Sequence, residues 1–159
     1  MSVTFYNAAL VLHIVGLTIM AGTTFIDFIA FRAFSKAYPT DAVQSVVLEN
    51  YLYRLQRFLG IGMLLILISG ITMMAKLHEV WGAQLWFRIK MGVLLLIIIN
   101  GLGLRRMLGT RLKKIIANDT SAIVASEKWS SIKKNFTIVQ IAQMLLFIII
   151  YTLSVFKFN

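Results

Sequence analysis

The 159-residue chain contains no cysteine, a single proline and only six acidic residues. The missing cysteines exclude disulfides, thiolate metal sites, iron–sulfur clusters and cysteine nucleophiles. Two histidines and six carboxylates leave little material for hydrolytic chemistry. No G-x-S-x-G, Walker A, G-x-G-x-x-G or H-E-x-x-H pattern occurs. Charged residues make up 14% of the chain, against about 25% in a soluble domain. What is present instead is apolar: 59% of residues, with a mean hydropathy of +0.83. That balance excludes an ordinary soluble globular domain, and the long Ile, Leu and Phe runs exclude disorder. The length allows one domain.

A bilayer core about 30 Å thick takes about 20 apolar residues of helix. Four stretches qualify: 8–31, 58–75, 85–104 and 136–156. The second and fourth carry no charge. The third is ambiguous, because its clean apolar part, Met91–Leu104, is too short to span. Starting it at Leu85 recruits Trp86 and Phe87 and places Arg88 and Lys90 inside the span. The expected fold is therefore an all-α four-helix bundle integral to a membrane, with the chain as a single transmembrane domain. The flanking loops read as helical extensions. Pro39-Thr40-Asp41 is a helix start, and Val43, Val47, Leu55 and Phe58 keep a helical spacing into the second span. Asn118 to Ser121 reads as a turn and cap.

The +10 net charge is a topology signal. The loops 32–57 and 105–135 share one side and hold 12 of the 16 cations. Lys76, Arg88, Lys90 and Lys157 fall on the other. The cation-rich side is expected to be cytoplasmic, with both termini external. The first span lacks a cationic n-region and is too long for a signal-peptide core. The lipid bilayer, with its anionic headgroups, is the expected partner. Nucleic acid is not, because no fold or aromatic pattern for it appears. The oligomeric state stays open, a homo-oligomer included.

Ionisable groups inside a span are costly and mark functional candidates. His13 lies five residues past Ala8, and Lys90 five residues past Leu85. Both helices enter from the same side, so the two reach similar depth, about 8 Å in. Tyr151 near the end of the fourth span, and Met73 or Met74 at the end of the second, approach that level. His13, Gly16, Met20 and Thr24 share a helix face. Gly16 removes bulk one turn from the histidine, which suits either a flat ligand or close helix packing. Arg88 and Lys90 point to nearly opposite faces, so only one faces the bundle centre.

His13 is either an interhelical hydrogen-bonding histidine or a ligand to iron or another metal. Lys90 either snorkels to the interface, holds an anionic group such as a haem propionate, or transfers protons. A zinc-like site built from His13, His78 and Glu79 is a lesser option. Eight methionines raise copper, although methionine also fills apolar cores. A second polar group, Asp27, Asn100, Gln140 and Gln143, lies toward the cation-rich side. Interhelical amide bonds, worth about 0.6 kcal/mol each, account for Asn100 and the glutamines. Asp27 calls for a cation, with Arg54 or Arg57 as candidates.

The stretches His13-Ile14-Val15-Gly16 through Ala21-Gly22, Arg57 through Gly70, Leu85-Trp86-Phe87-Arg88-Ile89-Lys90 and Val155-Phe156-Lys157-Phe158 resemble one group. The chain is similar to the HemJ-type protoporphyrinogen oxidases and their CopD-like relatives, small four-helix proteins of the bacterial inner membrane. The similarity spans most of the chain. It implies a haem b whose iron is held by His13 and an essential, catalytic Lys90. It further implies an oxidoreductase acting on a porphyrin-type substrate and passing electrons to a quinone or respiratory chain. Gly16, Met20, Arg88, Lys90 and Tyr151 are then expected around the cofactor. Where the HemJ-type pattern has Asn-Glu-x-Pro in its last helix, this chain reads Val139-Gln140-Ile141-Ala142. The family's first-helix tryptophan is Met20 here, and the His13-to-Gly22 spacing matches the CopD-like pattern. A non-catalytic membrane module, such as a copper-handling component or a partner subunit, is the alternative from a different class.

Overall fold

The computed structural model describes residues 3–38, 40–81, 84–118 and 127–156, with side chains described over 3–38, 40–41, 43–75, 84–114 and 129–156. Among the described residues all regular structure is helical. Helix α1 runs Val3–Ala37 and α2 Ala42–Trp81; α3, Leu85–Ile98, passes through a π-helical segment, Ile99–Leu104, into α4, Arg105–Asn118; α5 is Glu127–Val155. Four continuous rods result, and each is long and apolar enough to cross a membrane. The chain is thus an all-α, four-helix, multi-pass membrane protein.

Each helix outruns its apolar core because both flanking loops are largely helical. The α1–α2 connection is short. Asp41 caps α2, its Oδ1 accepting from the Gln44 backbone N–H at 2.9 Å. Residues 119–126, where Asn118–Ser121 reads as a turn in the sequence, lie outside the described residues beyond Asn118 itself.

Large apolar side chains such as Val11, Ile14, Phe25, Ile68 and Ile148 are about half exposed. In water such a surface would aggregate; in a bilayer it is the lipid-facing side. The inward faces form two apolar clusters. One, near the middle of the rods, contains Met20, Leu59, Met63, Ile66, Ile97 and Phe147. The other, at the cation-rich end, is aromatic. Phe31 stacks on Phe136 at 4.0 Å between centroids, and Tyr38 on Trp129 at 4.7 Å.

Helices α1 and α2 pack most extensively. Gly16 and Gly62 set their approach. A Cβ at Gly62 would stand 3.0 Å from the Gly16 carbonyl oxygen, and one at Gly16 would stand 3.0 Å from the Ile66 backbone nitrogen. Small residues at such crossings let backbones close without a side chain between them. Helix α5 packs on α1 and α3, whereas α2 has no comparable contact with the α3–α4 rod. Two cavities occupy that seam at different depths.

The π-helical segment fixes what faces inward. The Arg105 backbone N–H bonds to the Asn100 carbonyl, a five-residue closure. In an α-helix, residues five apart point about 140° from each other. The π turn instead brings Asn100 and Arg105 to one inward face.

Candidate functional site

The cavity at the end opposite the cation-rich one, about 340 Å³, is lined from all four rods: His13 and Met20 from α1, Gly70, Met73 and Met74 from α2, Phe87 and Lys90 from α3, and Tyr151 and Ser154 from α5. Its mouth includes the exposed residues Ile71, Met91 and Tyr151, so it opens toward lipid. The volume is at the low end of the range for small-molecule sites, about 300–1,000 Å³. Because one side is open, a larger planar ligand would sit partly in lipid.

His13 is held by α2. Its Nδ1 lies 2.9 Å from Ser69 Oγ. The Ser69 hydroxyl has one proton, which it donates to an α2 carbonyl, that of Leu65 or Ile66. With that proton on a carbonyl, Ser69 Oγ accepts from His13 in its Nδ1–H tautomer. That tautomer leaves Nε2 with its lone pair, the form that ligates metals. Gly70, next in the chain, lies beside the ring edge, where a side chain would meet it in ordinary contact. A Cβ there would stand 3.6 Å from His13 Cε1.

The structure separates the residues grouped in the sequence. His13, Met20, Lys90 and Tyr151 line one cavity, as do both Met73 and Met74. Met20 is fully buried. Gly16 does not line it: the glycine faces Ile66 and Leu65 at the α1–α2 crossing and serves packing. Arg88 does not line it either. It stands two residues from Lys90, on the opposite side of α3, and is exposed. The side chains of His78 and Glu79 are outside the described residues, and so is Lys157. Among the described residues no group of three His, Asp or Glu could hold a metal. Sequence reasoning missed Ser69, Gly70 and Ser154. The signal for the first two was a Ser-Gly pair of small residues inside an otherwise bulky apolar run.

The deeper polar group is also resolved. Asn100 Nδ2 donates to Gln143 Oε1 at 2.7 Å and to the Val139 carbonyl at 2.9 Å. Asp27 is neutralised by Arg105, not by Arg54 or Arg57. Arg105 Nε and Nη2 donate to its two oxygens at 2.9 and 2.6 Å, and Gln140 Nε2 adds a third bond at 2.7 Å. Arg105 is 5% exposed and lies inside the bundle rather than in a loop. Its guanidinium also covers the Phe136 ring at 4.2 Å.

Comparison with known proteins adds no relative: no family model, curated protein or solved structure matches the chain.

Proposed function

We propose that the protein is a haem b-binding membrane oxidoreductase, related in its chemistry to the HemJ-type and CopD-like proteins that its sequence resembles. The observation that carries this reading is the pairing, in one lipid-open cavity, of an Nδ1-bonded imidazole and an ammonium. The donor set suits the group. His13 offers Nε2 to iron, and Ser69 holds the ring through Nδ1, as outer-shell partners of metal-bound histidines do. Lys90 offers a cation to a propionate. Met20, Phe87, Ile97 and Phe147 supply the apolar walls that exclude water. Haem, when bound, supplies a one-electron redox centre.

Lys90 also stands where an anionic porphyrin-type substrate would enter from the lipid side, and its ammonium orients such a carboxylate. Electrons would leave to a quinone or a respiratory chain. The cation-rich end faces the cytoplasm in this reading, with both termini external, in a bacterial inner membrane. Purified protein produced with ample haem supply should carry a Soret-absorbing pigment. Protoporphyrinogen turnover should disappear in Lys90→Met while the pigment stays. A colourless wild-type protein would refute the proposal.

A second reading rests on one specific observation. Met20, Met73, Met74 and Met91 line the same cavity as His13. Four thioethers and an imidazole are soft donors suited to Cu(I). A copper-handling module would bind Cu(I) in competition with a chromophoric chelator and bind no haem.

A further inference from the structure

The second cavity in the α2/α3–α4 seam lies at the cation-rich end and has a volume of about 460 Å³. It collects charge of one sign. Arg57 enters from α2, and Arg105, Arg106 and Lys113 from α4, against a single lining carboxylate, Glu49. Among the described residues only Arg105 is paired with a carboxylate, that of Asp27. Among the described residues Arg57, Arg106 and Lys113 make no ion pair. Two of these cations gather about one ring: Arg57 stands 5.1 Å and Lys113 6.0 Å from the Tyr53 centroid. Arg105 contributes as well. Asp27 occupies its Nε and Nη2, while Nη1 makes no hydrogen bond among the described residues and lies against Gly109 in the cavity wall, 3.0 Å from where a Cβ would be. Gly109 thus allows the buried guanidinium to reach the cavity.

Like charges converging on a concave site repel one another unless an anion is shared between them. Guanidinium groups favour phosphate, whose oxygens match their planar donors. Leu52, Leu102, Leu112 and Phe136 line the same cavity with apolar surface. We infer that this cavity is a binding site for a phosphate-bearing ligand, its phosphate seated among Arg57, Arg106, Lys113 and Arg105 Nη1 and its body against the apolar wall. The phosphate comes from an anionic phospholipid headgroup or from a soluble phosphorylated compound. The site is separate from the His13 cavity and does not depend on what that cavity holds.

The test uses the full chain, delipidated in neutral detergent. Binding of short-chain phosphatidylglycerol and, separately, of inorganic pyrophosphate is followed by thermal shift. Arg57, Arg106 and Lys113 are exposed, so the triple variant R57Q/R106Q/K113Q should fold. At about fivefold per cation near the headgroups, it should lose roughly a hundredfold in affinity. The control R54Q/K133Q/K134Q removes three exposed cations that do not line the cavity, and should change affinity by less than about twofold. Lys113→Gln alone should cost about fivefold, which keeps the test open if the triple variant is unstable. Selective loss with phosphatidylglycerol assigns the lipid; selective loss with pyrophosphate assigns the soluble ligand. Equal losses in both triple variants, or no binding of either probe by the wild type, would overturn the inference.

Discussion

Replacing Asp27 by asparagine tests the buried pair that closes the cation-rich end of the bundle. The carboxylate accepts two hydrogen bonds from Arg105 and one from Gln140, and both ion-pair side chains are nearly inaccessible. Asp27→Asn keeps the shape but removes the charge and turns one acceptor into a donor facing other donors. Breaking a buried pair from one side costs about 3–5 kcal/mol, because the remaining charge is left uncompensated. Two features of the structure soften that. The Phe136 ring under the guanidinium contributes up to about 2 kcal/mol, and Arg105 Nη1 lies beside a cavity. We therefore expect a loss near the lower limit, about 3 kcal/mol. Arg105→Leu should cost at least as much, since it strands an anion. Asp27→Leu/Arg105→Leu, with no charge left to strand, should cost less than the sum of the single leucine changes, by about 2 kcal/mol. Reversible unfolding in mixed micelles, titrated with dodecyl sulfate, measures all four variants. Single-site losses below about 1 kcal/mol that simply add in the double variant would refute the reasoning.

Other consequences follow from the same geometry. Ser69→Ala frees the His13 ring and should weaken any metal or haem bound through Nε2 by about 10- to 100-fold, read by competitive titration. Gly16→Ala and Gly62→Ala force backbone apart at the α1–α2 crossing and should each destabilise by about 1–3 kcal/mol. Gly92→Ala meets open space and should be neutral or slightly stabilising in the same unfolding assay. Burial, and secondarily the Glu49 carboxylate, push the Tyr38 hydroxyl above its usual pKa. Below that value both folded and unfolded forms are neutral; above it the unfolded chain ionises first, so stability falls as pH rises through about 10. Tyr38→Phe should remove this alkaline loss. It should cost little at neutral pH, because among the described residues the hydroxyl has no hydrogen-bond partner.

The four rods were legible because a bilayer imposes a length and a composition that can be counted along the chain. The α2 start was legible too, since Asp41 caps where a short acceptor before an apolar run would. Depth was harder to turn into contact. Equal distances from the entry points placed His13 and Lys90 at one level, but rotation about each axis is set by packing that no single helix encodes. That is why Arg88 turned outward and Gly16 went to the helix crossing, although each was near the right height. Arg105 was misplaced for a different reason. The apolar run ends at Leu104, so Arg105 counts as a loop cation, and its inward face depends on the π-helical turn after Ile98. Ser69 escaped notice because a serine bonded to its own helix is unremarkable until a histidine on the next helix is found 2.9 Å from it.

In the proposed reading His13, held by Ser69, offers Nε2 to an iron porphyrin in the lipid-open cavity. Titrating haemin into the detergent-purified, haem-free protein and recording the Soret band measures this directly. The wild type should give a shifted band that saturates at one haem per chain, and His13→Ala should give none. An identical spectrum and stoichiometry in the two proteins would contradict it.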